Sequence, residues 1–119
     1  MTIKDCYEQM GVSYEDVVGR IGNETILKKF VLKFPDDPSY KSLQEGLAEK
    51  DHEKAFRAVH TLKGICLNLG FDNLFEPSSK LTELLRGQET TEGCETLFEE
   101  VTGQYSRWID AIQKMKTEE

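Results

Sequence analysis

Apolar residues recur along this chain at intervals of three and four, and no stretch alternates apolar with polar residues long enough to read as a strand. Between residues 14 and 34 the apolar positions are Val17, Val18, Ile21, Ile26, Leu27, Phe30, Val31 and Phe34, a helical face interrupted at Gly22-Asn23. Ser13 precedes it with Asp16 three residues on, resembling a capping box with aspartate in place of the usual glutamate. Pro35-Asp36-Asp37-Pro38 ends the segment, since a residue ahead of proline is pushed out of the α region. Ser39 is the predicted cap of the next helix, which carries Leu43 and Leu47. Asp51 is the predicted cap of another, running to about Leu69 with Gly70 as its left-handed stop. A further helix runs from somewhere between Asn73 and Pro77 to Arg86, apolar at Leu81, Leu84 and Leu85. Pro77 either marks its start or kinks it, because proline is tolerated only near a first turn. The last helix is predicted from about Thr91 to Lys116, with Leu97, Val101, Tyr105, Trp108, Ile109, Ile112 and Met115 at helical spacing. Residues 1–10 add a short helix closed by Gly11. The expected fold is all-α: an antiparallel four-helix bundle with short loops and short extra N-terminal helices, a single domain over residues 1–119.

One helix carries more than a core stripe. At about 100° per residue, Ala55, Val59, Leu62, Cys66 and Leu69 stack into the seam that faces the bundle. His60 lies roughly 130° away from that seam on the same wheel, which places it in solvent. Phe56, Lys63, Gly64 and Leu67 share its face at spacings of three and four. Lys63, three residues on, can bring an ammonium beside anything attached to the imidazole. Gly64 stands mid-helix, where it costs about 1 kcal/mol relative to alanine. It also removes the side chain that would crowd a visitor to the ring.

Composition sharpens this. The charge is −7, from 15 basic and 22 acidic residues, so a general nucleic-acid binder is excluded for want of a basic footprint. Against that background residues 54–71 hold Lys54, Arg57 and Lys63 and no carboxylate, a local positive patch around one nucleophile. With 38% hydrophobic and 31% charged residues the chain reads as a soluble globular domain. Its longest nearly apolar stretch, residues 65–69, is interrupted by Asn68 and too short to cross a membrane. The opening residues show no secretory pattern, and a cytoplasmic location is expected. Cys6, Cys66 and Cys94 form no CxxC pair, which points to reduced thiols in the core instead of disulfides or zinc ligands.

The chemistry suited to this set is phosphoryl transfer to and from imidazole. Histidine is the side chain whose ordinary pKa, about 6.5, leaves a neutral nitrogen nucleophile near neutral pH. A neighbouring ammonium favours the anionic, phosphorylated product. The chain has no GxxxxGK[ST], no kinase glycine loop and no evident magnesium-binding carboxylate cluster. The phosphoryl donor and acceptor are then other proteins.

His60-Thr61-Leu62-Lys63-Gly64, with Leu69-Gly70 closing the helix, resembles the H-x-L-K-G-(x)5-G signature of histidine-containing phosphotransfer (HPt) domains of two-component phosphorelays. Gly22-Asn23-Glu24, Phe34-Pro35-Asp36-Asp37 and Ala55-Phe56-Arg57-Ala58-Val59 resemble the flanking segments of that family. The resemblance covers residues 14–86 well and the final helix by pattern. It implies a four-helix bundle in which His60 accepts the phosphoryl group, Lys63 stabilises it and Gly64 leaves room for the partner. Phe56, Arg57 and Leu67 would belong to the docking surface. The implied partners are a response-regulator receiver domain, which brings its own aspartate and Mg²⁺, and a sensor or hybrid histidine kinase. No cofactor or metal on this chain, no nucleic acid, no membrane and a monomer are expected. Many members place a glutamine on the following helix to hold the other imidazole nitrogen. Here that stretch reads Ser78-Ser79-Lys80-Leu81-Thr82-Glu83, without one. A hydroxyl of Thr82 or Ser79, Lys80 after reorientation, or water would have to fill the role.

Other readings are weaker. His52, beside the predicted cap Asp51, is expected to be a solvated surface residue. Glu49-x-x-His52 imitates half of a di-iron motif, but that site needs two such motifs and two further inward glutamates. His52-Glu53 begins no HExxH, because no histidine follows at the required spacing. The alternative that shares the fold is a docking module that has lost phosphotransfer. An initiating Met and a whole bundle in 119 residues favour a free-standing carrier over a piece of a hybrid kinase.

Overall fold

The computed structural model describes residues 1–118, and every regular element among them is helical. In chain order these are α1 (Ile3–Met10), α2 (Tyr14–Ile21), α3 (Glu24–Lys33), a single 3₁₀ turn (Phe34–Asp36), α4 (Ser39–Ala48), α5 (His52–Leu69), α6 (Asp72–Arg86) and α7 (Glu95–Thr117). Local chemistry starts and stops most of them. Thr2 and Asp5 form a reciprocal capping box on α1, and Ser13, Asn23 and Asp51 each accept from the backbone N–H three residues on. Gly11, Gly22 and Gly70 close α1, α2 and α5 in the left-handed conformation. Gly70 is required twice over: its φ is +70°, and a Cβ there would lie 2.0 Å from Val17 Cγ2.

Three boundaries differ from the sequence expectation. Ser39 is not a cap; it is buried as the first residue of α4, and Asp37 Oδ1 accepts its N–H at 2.9 Å. Asp37 thus closes that helix start from two residues back. Of the two alternatives for Pro77, it does not mark the start of α6: the helix begins at Asp72 and carries Pro77 buried in its interior. Tertiary contacts hold its first turn, since Asn73 Nδ2 donates to Met10 O at 3.1 Å and Asn73 Oδ1 accepts from Trp108 Nε1 at 2.6 Å. Finally, α7 begins at Glu95 and not near Thr91. Gly93 is left-handed, and Gln88 Nε2 donates to the carbonyls of Thr90 and Glu92 at 2.8 and 2.7 Å, which folds those residues into a turn.

The last four helices form the bundle. The end of α4 meets the start of α5 so closely that a Cβ on Gly46 would come within 2.7 Å of Ala55 N. The start of α5 meets the end of α6, where His52 Nε2 lies 2.6 Å from Leu85 O. Neighbouring helices therefore run antiparallel. Tyr40 of α4 closes the ring by stacking on Tyr105 of α7 at 4.0 Å and placing its hydroxyl 2.9 Å from Thr102 Oγ1. The core stripe of α5 is as the wheel predicts, with Ala55, Val59, Leu62, Cys66 and Leu69 all buried. Trp108, fully buried, stacks on Phe71 at 3.8 Å and meets Tyr7 edge-on at 5.4 Å. Tyr7 hydroxyl donates to Leu69 O, tying α1 to the end of α5. The short N-terminal helices thus brace the C-terminal end of α5 and leave one of its faces open.

Candidate functional site

That open face begins with His60, which is exposed eight residues after the first residue of α5. Helical spacing brings Phe56 one turn before it, Lys63 and Gly64 one turn after, and Leu67 two turns after. Phe56 is half-buried and presents its ring to the imidazole edge-on, with centroids 5.8 Å apart and planes at 89°. Leu67 is 51% exposed, unusual for a leucine in a helix that otherwise buries them. Gly64 has nothing within 4 Å of where a Cβ would stand. No contact inside the chain calls for glycine there, although the residue weakens the helix.

Two of the three cations in the positive patch are engaged by nearby carboxylates. Lys54 Nζ is drawn to Glu49 at 3.4 Å and Glu45 at 3.7 Å. Arg57 pairs with Glu53 one turn earlier. Arg57 also stands on the flank turned toward α4, where with Thr61 and Ser42 it lines a polar groove of about 570 Å³. Lys63 makes no ion pair within 4 Å among the described residues, so it is the cation of α5 left for a ligand at His60.

The neighbouring helix α6 contributes two residues that the wheel of α5 cannot show. Arg86 holds its guanidinium 5.2 Å from the centroid of Phe56 and donates through Nε to Glu83 Oε2 at 2.8 Å. Arg86 and then the nearby charges of Lys63 and His60 hold the Glu83 carboxyl below the usual carboxylate range. Of the residues considered for steadying the imidazole, Thr82 is fully buried and donates to Ser78 O at 2.7 Å. Lys80 pairs with Glu76 at 3.3 Å, and Ser79 is half-buried. His52 is not the solvated residue expected. It is half-buried, bonded to Leu85 O, and stacked parallel on Phe56 at 6.2 Å, because the end of α6 closes over it.

Leu67 itself borders a polar depression lined by Ser13, Asp16, Arg20 and Asp72. Arg20 of α2 donates to Leu67 O at 3.3 Å and, with Ile21, Phe30, Ile65 and Leu69, lines a groove of about 530 Å³. Phe30 is itself 49% exposed.

The family model for the Hpt domain matches residues 27–117, which spans α3 from its fourth residue to the end of α7. The chain belongs to the Hpt-domain family. No curated protein and no solved structure matched it. Hpt domains are the phosphocarriers of two-component signalling, generally not enzymes, and they meet receiver domains and kinases in phosphorelays. In this Hpt domain no helix among the described residues is long and apolar enough to cross a membrane. Three residues of the signature, His60, Lys63 and Gly64, lie on one side of α5 together with Leu67, while Leu62, Leu69 and Gly70 of the same segment are buried.

Proposed function

We propose that this chain is a phosphorelay carrier that accepts a phosphoryl group on His60 and passes it to or from the aspartate of a response-regulator receiver domain. The observation that carries this reading is the conjunction at one helix turn of an exposed imidazole, an ammonium with no ion pair within 4 Å among the described residues and a glycine with empty space above it. A ring nitrogen attacks phosphorus, the bond from phosphorus to the aspartate oxygen breaks, and the aspartate leaves with that electron pair. Lys63 offsets the negative charge carried by the phosphoryl oxygens. Gly64 lets the partner's acidic pocket close over the ring. The receiver supplies the aspartate and Mg²⁺, and this chain needs no cofactor of its own. Phe56 and Leu67 give the receiver an apolar surface to pack on, and Arg57 a charge at its rim. A sensor or hybrid histidine kinase stands further up the relay. The carrier works as a cytoplasmic monomer, since an interface over the His60 face would block transfer.

Mixing the protein with a phosphorylated receiver tests this. An acid-labile, alkali-stable label should appear on the wild type and be absent from His60→Gln. Label persisting in that variant would overturn the assignment. Capture of receivers without label transfer to the wild type would identify a docking module that has lost phosphotransfer.

A further inference from the structure

The bundle leaves a second side of α5 partly open besides the face that carries His60. At about 100° and 1.5 Å per residue, Ile65 lies roughly 140° around the helix from His60. Asn68 lies roughly 80° around it and about 12 Å further along the axis. On that side α5 looks toward α2 and α3, and the groove of about 530 Å³ lies between them. Ile21, Phe30, Phe34, Ile65 and Leu69 give it apolar walls. Ile26 and Phe30 stand one turn apart on α3 and are 45% and 49% exposed, although Leu27 and Val31 already supply the buried face of that helix. α3 thus carries a second apolar ridge that the bundle does not use, contiguous with a concave apolar surface.

The rim of this groove is cationic in a chain whose net charge is −7. α3 carries three lysines, Lys28, Lys29 and Lys33, against the single carboxylate of Glu24. Lys29 and Lys33 follow Ile26 by three and seven residues, which sets both on the flank that carries Ile26 and Phe30. Lys33 and Arg20 line the groove itself, and Arg20 is held at its edge by Leu67 O at 3.3 Å. Arg20, Lys29 and Lys33 form no ion pair within 4 Å among the described residues. Asp37, the carboxylate in the lining, already accepts the Ser39 N–H at 2.9 Å. The occupant that complements such a surface is apolar on one side and acidic around it. A two-fold pair of this chain would set the patch against itself, cation against cation. A bilayer is flat where the groove is concave, and an anionic leaflet repels a chain of this net charge.

We propose that the groove between α2, α3 and α5 is a second docking site, taken by an acidic amphipathic helix of a partner protein while the His60 face stays open. Apolar side chains one turn apart on that helix pack over Ile26 and Phe30 and enter the groove beside Ile65, and its carboxylates meet Arg20, Lys29 and Lys33. The site stands without the phosphotransfer reading. Under that reading it gives the carrier a tether: a partner held here keeps a high effective concentration near His60 without covering the imidazole.

The probe is a synthetic helical peptide with leucine and phenylalanine on one face and glutamate on the other, compared with a counterpart that has lysine in place of glutamate. In an NMR titration the glutamate peptide should shift the amide signals of Phe30, Ile65 and Asn68 and leave those of His60 and Gly64 in place. Its affinity should fall with added salt. It should also fall by about tenfold or more in Phe30→Ala and in the double variant Lys29→Glu, Lys33→Glu, the scale of a lost interface anchor. All three side chains are exposed, so the variants should keep the helical circular dichroism of the wild type. Absence of shifts at millimolar peptide, equal binding of the lysine peptide, or shifts centred on His60 would each overturn the proposal. So would a concentration-dependent dimer that Phe30→Ala breaks up, which assigns the groove to a second copy, or binding to anionic lipid vesicles lost in that variant, which assigns it to a membrane. Label transfer enters none of these readouts, so a chain that fails to take phosphate still decides the groove.

Discussion

Gly64 and Gly46 show how one residue type answers to different constraints. A side chain at Gly46 would run into the backbone of Ala55, 2.7 Å from where its Cβ would stand, whereas one at Gly64 would meet nothing. Gly46→Ala should therefore destabilise the fold by about 1–3 kcal/mol through overpacking. Gly64→Ala should stabilise it by up to about 1 kcal/mol through helix propensity. Denaturant unfolding measures both, and a loss of stability in Gly64→Ala would contradict the empty space above it. Under the phosphotransfer reading Gly64→Phe should fold normally and still transfer far more slowly, a split that links this position to a partner and not to the core. The thiols give a second residue-scale expectation. Burial pushes the Cys6 thiol up to about 11 and the Cys66 thiol higher still. Neither forms a thiolate near neutral pH, so an alkylating reagent should modify them only after unfolding. Fast labelling of the native protein would show that the core around α1 and α5 opens readily.

Among the elements, α5 was the most legible. Its cap at Asp51, its stop at Gly70 and its buried stripe all follow from residues within the helix, whose periodicity and end chemistry are local. Asp51→Ala should lower stability by about 1 kcal/mol, read as a shift in thermal midpoint. Transfer should persist, because His60 lies well past the first turn. α6 was the least legible. Its first turn carries no side-chain cap and contains no proline; it is held by Met10 O and Trp108 through Asn73, groups 63 and 35 residues away in sequence. No local pattern reports such partners. The start of α7 could have been read more closely, since Gly93 in its left-handed conformation is a helix breaker of the same kind as Gly70.

At the scale of the molecule, Trp108 is the probe that the fold itself provides. It is the chain's single tryptophan, fully buried where α1, α6 and α7 meet. If residues 1–118 unfold as one domain, its fluorescence and the helical circular dichroism should lose structure at the same denaturant concentration. Separate transitions would show that the N-terminal helices melt apart from the bundle. Trp108→Ala should cost about 3–5 kcal/mol, since it removes both the stack on Phe71 and the bond to Asn73. The surface charges contribute far less to stability, because pairs such as Lys80–Glu76 are exposed and screened.

What the order of residues determined alone was everything carried by one helix at a time: the all-helical class, the buried seam of α5, and His60, Lys63 and Gly64 on its outward face. Periodicity turns sequence distance directly into angle, so side chains on one helix find each other without help from the rest of the fold. What only the tertiary structure decided was the environment assembled from different helices. Lys54 gives its charge to α4 and Arg57 to the turn before it, His52 is sealed by Leu85, and Arg86, bonded to Glu83, reaches over Phe56 from α6. Those meetings depend on how far one helix slides and turns against its neighbour, and that register is set by buried contacts distributed over the whole chain.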